Sequence, residues 1–229
     1  MRLRIDDYPS GIRPITQKVE GFRLLLSRID SFDFPFILGI VPALCTELDW
    51  KFLAGLRNMV PAMHGITHDY YVYSQFLKEV KDYENNQTVS RQFNELNGIN
   101  PKYLSDILRS YRNLMRDKLN QEIEIFIPPC NRVTIRQSLA LRKAGFRMLY
   151  SENKNPFLFL PNFQSSFYGR SDQFLSTHGI ATLHITWEYD LYEKWGFSYL
   201  DYFMGELTNN RENVKTLRSS RLFWILNYK

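Results

Sequence analysis

The chain has 229 residues, 44% of them hydrophobic, a formal net charge of +5 and two cysteines. That length and apolar content suffice for one substantial core, so a single domain over residues 1–229 is expected. Two cysteines exclude a disulfide framework, no run approaches the roughly 18 apolar residues a membrane span needs, and the dispersed basic residues accompany no nucleic-acid-binding motif. Any membrane association would be peripheral, and the lack of a charged-then-apolar leader before Leu3 points to a cytoplasmic protein.

Short apolar runs alternate with amphipathic stretches, the pattern of repeated β-α units around a largely parallel sheet. Strands are expected near Leu3–Ile5, Phe34–Val41, Met59–Met63, Ile123–Ile127, Arg147–Tyr150, Leu158–Leu160 and Ala181–Trp187. Helices fit between them. Val19–Ile29 carries Phe22, Leu25, Leu26 and Ile29 at helical spacing, and Leu48–Leu56 is similar. Pro101–Leu119 aligns Leu104, Ile107, Leu108, Tyr111 and Met115 on one stripe, and Thr134–Ala144 ends at Gly145 as a C-cap would require. The polar, Asn-rich stretch from Tyr70 to Asn100 reads as a lid or an exposed insertion.

Chemistry gathers where the predicted strands end. Asp6 and Asp7 close the first run, and His64-Gly65-Ile66-Thr67-His68 follows the third. Two imidazoles four apart lie on one side of a helical turn and can converge on a single ion. One Asp with two His makes a three-ligand set that leaves positions open for water and substrate, which is the pattern of a catalytic metal site. The bland alternatives are an Asp-capped turn before Pro9 and a pair of packed histidines. No Glu follows His64, so a base of the helical zinc-protease kind is missing and must come from elsewhere, with Asp6 placed to be it. Imidazole and carboxylate donors suit Zn2+, and they also suit Co2+, Ni2+ or Fe2+.

These residues resemble the motifs of the polysaccharide deacetylase family, the metal-dependent N-deacetylases of carbohydrate esterase family four, in its divergent branch. There a first motif ending in Asp-Asp supplies the general base and then a metal ligand, and His-x-x-x-His supplies the other two ligands. Asp6, Asp7, His64 and His68 match one for one. Phe126-Ile127-Pro128-Pro129-Cys130-Asn131 is similar to a looser form of the third motif, and Thr182-Leu183-His184-Ile185 to the last, which ends in a catalytic His. The arginine that braces the base in the family has no counterpart before Pro128. Arg132 and Arg136 are candidates to replace it, and no match to the family's Asp/Trp motif separates the third and last blocks.

The resemblance implies an α/β fold, a distorted (β/α) barrel of about seven parallel strands. It also implies roles: Asp7, His64 and His68 as metal ligands, Asp6 as base toward the attacking water, and His184 as the acid that protonates the departing amine. Substrate contacts are expected from Cys130, whose backbone N–H would support the oxyanion, from Asn131, and from Trp187 beside the sugar. Cys130 as a nucleophile is an alternative. His178 reads as a loop or strand histidine rather than a fourth ligand, and Cys45 as a buried strand-end residue. The expected function is removal of an N-acetyl group from a sugar-lipid or sugar-nucleotide intermediate of cell-surface polysaccharide or lipopolysaccharide biosynthesis. The alternatives are a metal-dependent amidase acting on a small non-sugar amide and an inactive carbohydrate-binding relative.

Overall fold

The computed structural model describes residues 2–9, 19–68, 95–131, 133–151, 158–173 and 179–209. Within them lie the strands β1 (Arg2–Tyr8), β2 (Phe36–Ile40), β3 (Met59–His64), β4 (Ile125–Ile127), β5 (Met148–Tyr150), β6 (Asn162–Phe163), β7 (Phe167–Gly169) and β8 (Ile180–His184). The helices are α1 (Val19–Asp30), α2 (Glu47–Ala54), α3 (Pro101–Leu119), α4 (Ile135–Ala144), α5 (Ile185–Trp195) and α6 (Ser198–Asn209). All eight strands join one sheet in the order β6-β5-β4-β3-β2-β1-β8-β7, and every strand pairing among the described residues is parallel. The sheet curls into a distorted barrel whose open seam lies between β6 and β7, which are consecutive in the chain.

Strand periodicity assigns each residue a face. Leu3, Ile5, Phe36, Leu38 and Ile40 point outward into the main apolar core, where α1 adds Phe22, Leu25, Leu26 and Ile29, and α3 adds Leu104, Leu108 and Met115. The opposite parity points into the barrel. Its lower part is closed by Ile180, Tyr150 and Phe163, over which the Arg2 guanidinium lies 5.6 Å from the Phe163 ring. Above them Arg4 pairs in register with Ile37 and Thr182, and Ile125 with Ala62. The top layer holds Asp6 beside His184 and His64 beside Ile127. Asp6, His64 and His184 are therefore the inward-facing positions above this layer, at the C-terminal ends of the strands, where active sites of β/α barrels assemble.

Helix termini follow their local chemistry. Thr134 and Gln137 form a capping box on α4, which ends at Gly145 in the left-handed region with φ +99°. Asn100 caps α3 ahead of Pro101.

Several elements differ from the sequence expectation. Leu158–Leu160 forms no strand: Leu158 and Leu160 pack on the core while Phe159 is exposed, and pairing begins after Pro161, with Leu149 opposite Asn162. The apolar run Ala181–Trp187 divides at His184, where β8 ends and α5 begins at Ile185. Cys45 is not at a strand end; it follows the short turn Pro42–Leu44, half-buried, with Sγ 3.6 Å from the Val41 carbonyl. Burial there pushes its thiol up. No helix among the described residues is long and apolar enough to cross a membrane.

Candidate active site

Two adjacent residues of a regular strand face opposite ways, so Asp6 and Asp7 could not both reach one site from an ideal β1. The backbone resolves this locally. Register with β2 shifts between Ile5 and Tyr8, and Asp7 takes a φ of +74°, a conformation Asp tolerates better than most residues. Both carboxylates are almost fully buried. On β2, Gly39 leaves the space that Asp6 and His64 need: a Cβ there would stand 3.1 Å from Asp6 Oδ1 and 3.3 Å from His64 Cβ.

The two histidines converge through a turn, not along a helix as expected. His64 ends β3, Gly65 has φ +67° and His68 has φ +48°. A Cβ on Gly65 would overlap Glu95 Oε1 and lie 2.5 Å from Pro129 Cγ, so only glycine fits. Glu95 holds the turn by accepting from the backbone N–H groups of Ile66, Thr67 (3.0 Å) and His68 (2.8 Å), and from the Thr67 hydroxyl (2.8 Å). The result brings His64 Nε2 within 2.8 Å and His68 Nε2 within 3.4 Å of the same oxygen, Asp7 Oδ1.

One ligand atom from each of Asp7, His64 and His68 lies within 4.8 Å of the others, a separation one cation can bridge. The donor chemistry fits as well. His64 Nδ1 donates to the Ile127 carbonyl at 3.0 Å, which fixes the ring and leaves Nε2 for the site. Burial alone would raise the Asp7 carboxyl, but His184 and then His64 more than offset it and hold it well below the usual carboxylate range. Burial would lower the His64 imidazole, and its bond to Asp7 with the charges of Asp6 and Asp7 raises it instead. His68 is lowered by burial and then by His64.

The brace on Asp6 comes from a residue sequence reasoning passed over. Arg4, on the same inward face two positions earlier, donates from Nε to Asp6 Oδ1 at 2.8 Å and from Nη2 to Oδ2 at 2.5 Å. The i, i+2 spacing within one strand was the available signal. Arg136 is exposed on α4, and Arg132 lies outside the described residues, as do His178 and most of the 70–100 stretch.

From Arg4 a polar chain runs around the mouth. Nη2 also donates to Asn131 Oδ1 at 2.7 Å; Asn131 Nδ2 donates to the Tyr168 hydroxyl at 3.3 Å; that hydroxyl bonds His184 Nε2, and His184 Nδ1 bonds Asp7 Oδ2. Asn131 belongs to the turn Pro129–Asn131, which also contains Cys130, and takes φ +56°. Tyr168, from β7, was not foreseen. Trp187 stands where its helix folds it back: an extended strand would carry it about 10 Å beyond His184, whereas the first turn of α5 sets the two rings 4.2 Å apart. Tyr168 and Trp187 remain 42% and 37% exposed, so both present aromatic surface at the mouth.

No protein-family model matches the sequence, and no curated protein matches it. The architecture, however, is that of the family 4 carbohydrate esterases, so the resemblance drawn from the motifs holds at the level of fold. A family 4 carbohydrate esterase from Streptomyces lividans, in complex with acetate, superposes on 90% of this chain and 87% of its own, with a TM-score of 0.52 at 10% identity. A family 4 acetyl xylan esterase from Clostridium thermocellum, in complex with a cobalt ion, matches 90% of this chain and 83% of its own, with a TM-score of 0.51 at 9% identity.

Proposed function

We propose that the protein is a metal-dependent hydrolase that removes an acetyl group from an N-acetylated sugar, acting as one catalytic domain. The reading is carried by one observation: an Asp-His-His ligand set and a second, arginine-braced carboxylate meet at the same end of a carbohydrate-esterase-like barrel. Asp7, His64 and His68 would hold the ion, for which zinc is proposed on the basis of its imidazole and carboxylate donors. Bound there, a divalent cation supplies Lewis acidity that polarises an acyl carbonyl and acidifies water.

The chain's own groups do the rest. Arg4 uses two donors on Asp6, and a carboxylate has about four acceptor sites, so Asp6 can still take the proton of an attacking water molecule while its rotamer stays locked. Cys130 and Asn131 border the acyl group from the turn after β4, the former offering its backbone N–H to the developing oxyanion. His184 lies across from Asp6, in register with it on the neighbouring strand, and supplies the proton for the departing amine. An amine leaves poorly without that proton. Trp187 offers a face on which a sugar ring can stack.

The test combines elemental analysis with an acetate-release screen over UDP-linked and lipid-linked N-acetyl sugars. One ion per chain is expected, with activity lost to a chelator and restored by zinc. Asp6→Asn should retain the ion and lose activity by about 10²- to 10⁴-fold, the usual reach of a general base. His64→Ala and His68→Ala should lose the ion. Metal-replete protein that releases no acetate from any N-acetyl sugar would overturn the reading, and undiminished metal in both His variants would sink the ligand set.

A further inference from the structure

The polar chain at the mouth has a direction, set by the chemistry of its ends. A guanidinium only donates, so the Asn131 oxygen must face Arg4, at 2.7 Å, and its amide nitrogen must face Tyr168, at 3.3 Å. The phenol oxygen therefore accepts from Asn131, and its own hydrogen is left to point at His184 Nε2. At the other end the ionised Asp7 only accepts, so His184 Nδ1 carries a hydrogen whether or not Nε2 does. With Nδ1 turned to Asp7, Nε2 is the imidazole nitrogen that faces the mouth, and the Tyr168 hydroxyl sits on it. Burial, followed by the nearby Asp6, pushes the phenol up, so the hydroxyl stays protonated. The ring is 42% exposed and stands edge-on to Trp187 at 6.1 Å, which leaves the oxygen within reach of a ligand lying against that aromatic pair.

We propose that Tyr168 is a further catalytic residue, whose hydroxyl carries the proton from His184 Nε2 to the nitrogen of the departing amine; this rests on the deacetylase reading. As the C–N bond breaks, its electron pair goes to nitrogen, which takes the phenolic hydrogen. The phenol oxygen takes the Nε2 hydrogen of the imidazolium in the same event. Tyr168 ends neutral, His184 ends neutral with its hydrogen on Nδ1, and acetate leaves with the oxygen supplied by water. A direct transfer from Nε2 would first require Tyr168 to vacate it.

The experiment is Tyr168→Phe, which keeps the ring and its packing, assayed on zinc-loaded protein with an N-acetyl sugar and with an aryl acetate, whose leaving group needs no proton. On the sugar, kcat should fall by about 10²-fold or more with KM within about twofold, while the aryl acetate is hydrolysed within about twofold of wild type and metal content is unchanged. Equal loss on both substrates, or no loss on the sugar, overturns the relay. A second readout needs no turnover. Imidazole 15N NMR, with His184 assigned by its loss in His184→Gln, should show neutral His184 protonated at Nδ1 and bare at Nε2, with the Nε2 resonance moving in Tyr168→Phe. An Nε2–H tautomer in the wild type overturns the proposal whatever the substrate. A wild type that hydrolyses no N-acetyl sugar fails the deacetylase reading instead, and takes the relay with it while the NMR result stands.

Discussion

Outward from β1, Leu3 and Ile5 join Phe36, Leu38 and Leu26 in a continuous apolar layer, whereas inward from the same strand Arg4 and Asp6 form an ion pair exposed by 0% and 1%. The outer layer accepts many hydrophobic side chains of suitable volume. The inner pair works in one geometry only, with both guanidinium bonds aligned. Burying two charges costs several kcal/mol per ion, and their attraction seldom exceeds that, so an apolar pair of similar volume would serve stability as well. The pair earns its place by what it positions. From Leu3 to Asp6, ahead of the register shift, parity divides folding from chemistry.

Breaking the two faces separately should produce opposite signatures. Arg4→Met strands a buried carboxylate and is expected to cost about 3–5 kcal/mol in urea denaturation, together with an activity loss near that of Asp6→Asn. Adding Asp6→Leu should recover most of the stability and none of the activity. Leu38→Ala, on the outer face, should cost about 2–5 kcal/mol while turnover per folded molecule stays near wild type. An Arg4→Met protein as stable and active as wild type would contradict the assignment of Arg4.

A second buried carboxyl sharpens the contrast, because its contacts are neutral. Glu188 on α5 accepts from Ser171 N at 2.8 Å and Ser171 Oγ at 2.6 Å, and burial pushes it up to about 7. A raised carboxyl binds its proton more tightly when folded, so its contribution is complete below about pH 4.5 and is lost as pH rises through about 7. The loss across that window is roughly 3 kcal/mol at most. Urea midpoints followed from pH 4.5 to 7 should fall more steeply in wild type than in Glu188→Gln; parallel curves would refute the unfavourable ionisation of Glu188.

The smallest effect is expected at the metal corner, where backbone hydrogen bonds rather than charge pairing set the geometry. Glu95→Ala frees the N–H groups of Ile66, Thr67 and His68 and should weaken zinc binding by about 10- to 100-fold, the range typical of residues that orient ligands. Competition against a chromophoric chelator would measure it. Unchanged affinity would mean that the turn is held by Gly65 and its neighbours alone.

Much of this was legible in the residues themselves. Repeating β-α patterning pointed to a largely parallel sheet, Gly145 bounded a helix, and Asp and His fell at strand ends, because periodicity, capping and ligand chemistry are local properties. Direction was not local. Alternation alone would have sent Asp7 away from Asp6, and only a φ of +74° with a shifted register turned it into the site. Helical spacing suggested how His64 and His68 meet, yet a turn built around Gly65 and held by Glu95, 27 residues beyond His68, brought them together. The Arg4–Asp6 spacing was in plain view, but which parity of β1 faced the barrel depended on neighbouring strands. Tyr168 needed β7 to pair with β8 before it could reach His184. The sequence by itself determined which chemical groups and which elements exist; the closure of the sheet decided which of them share a face, because strand register and backbone twist depend on partners far along the chain.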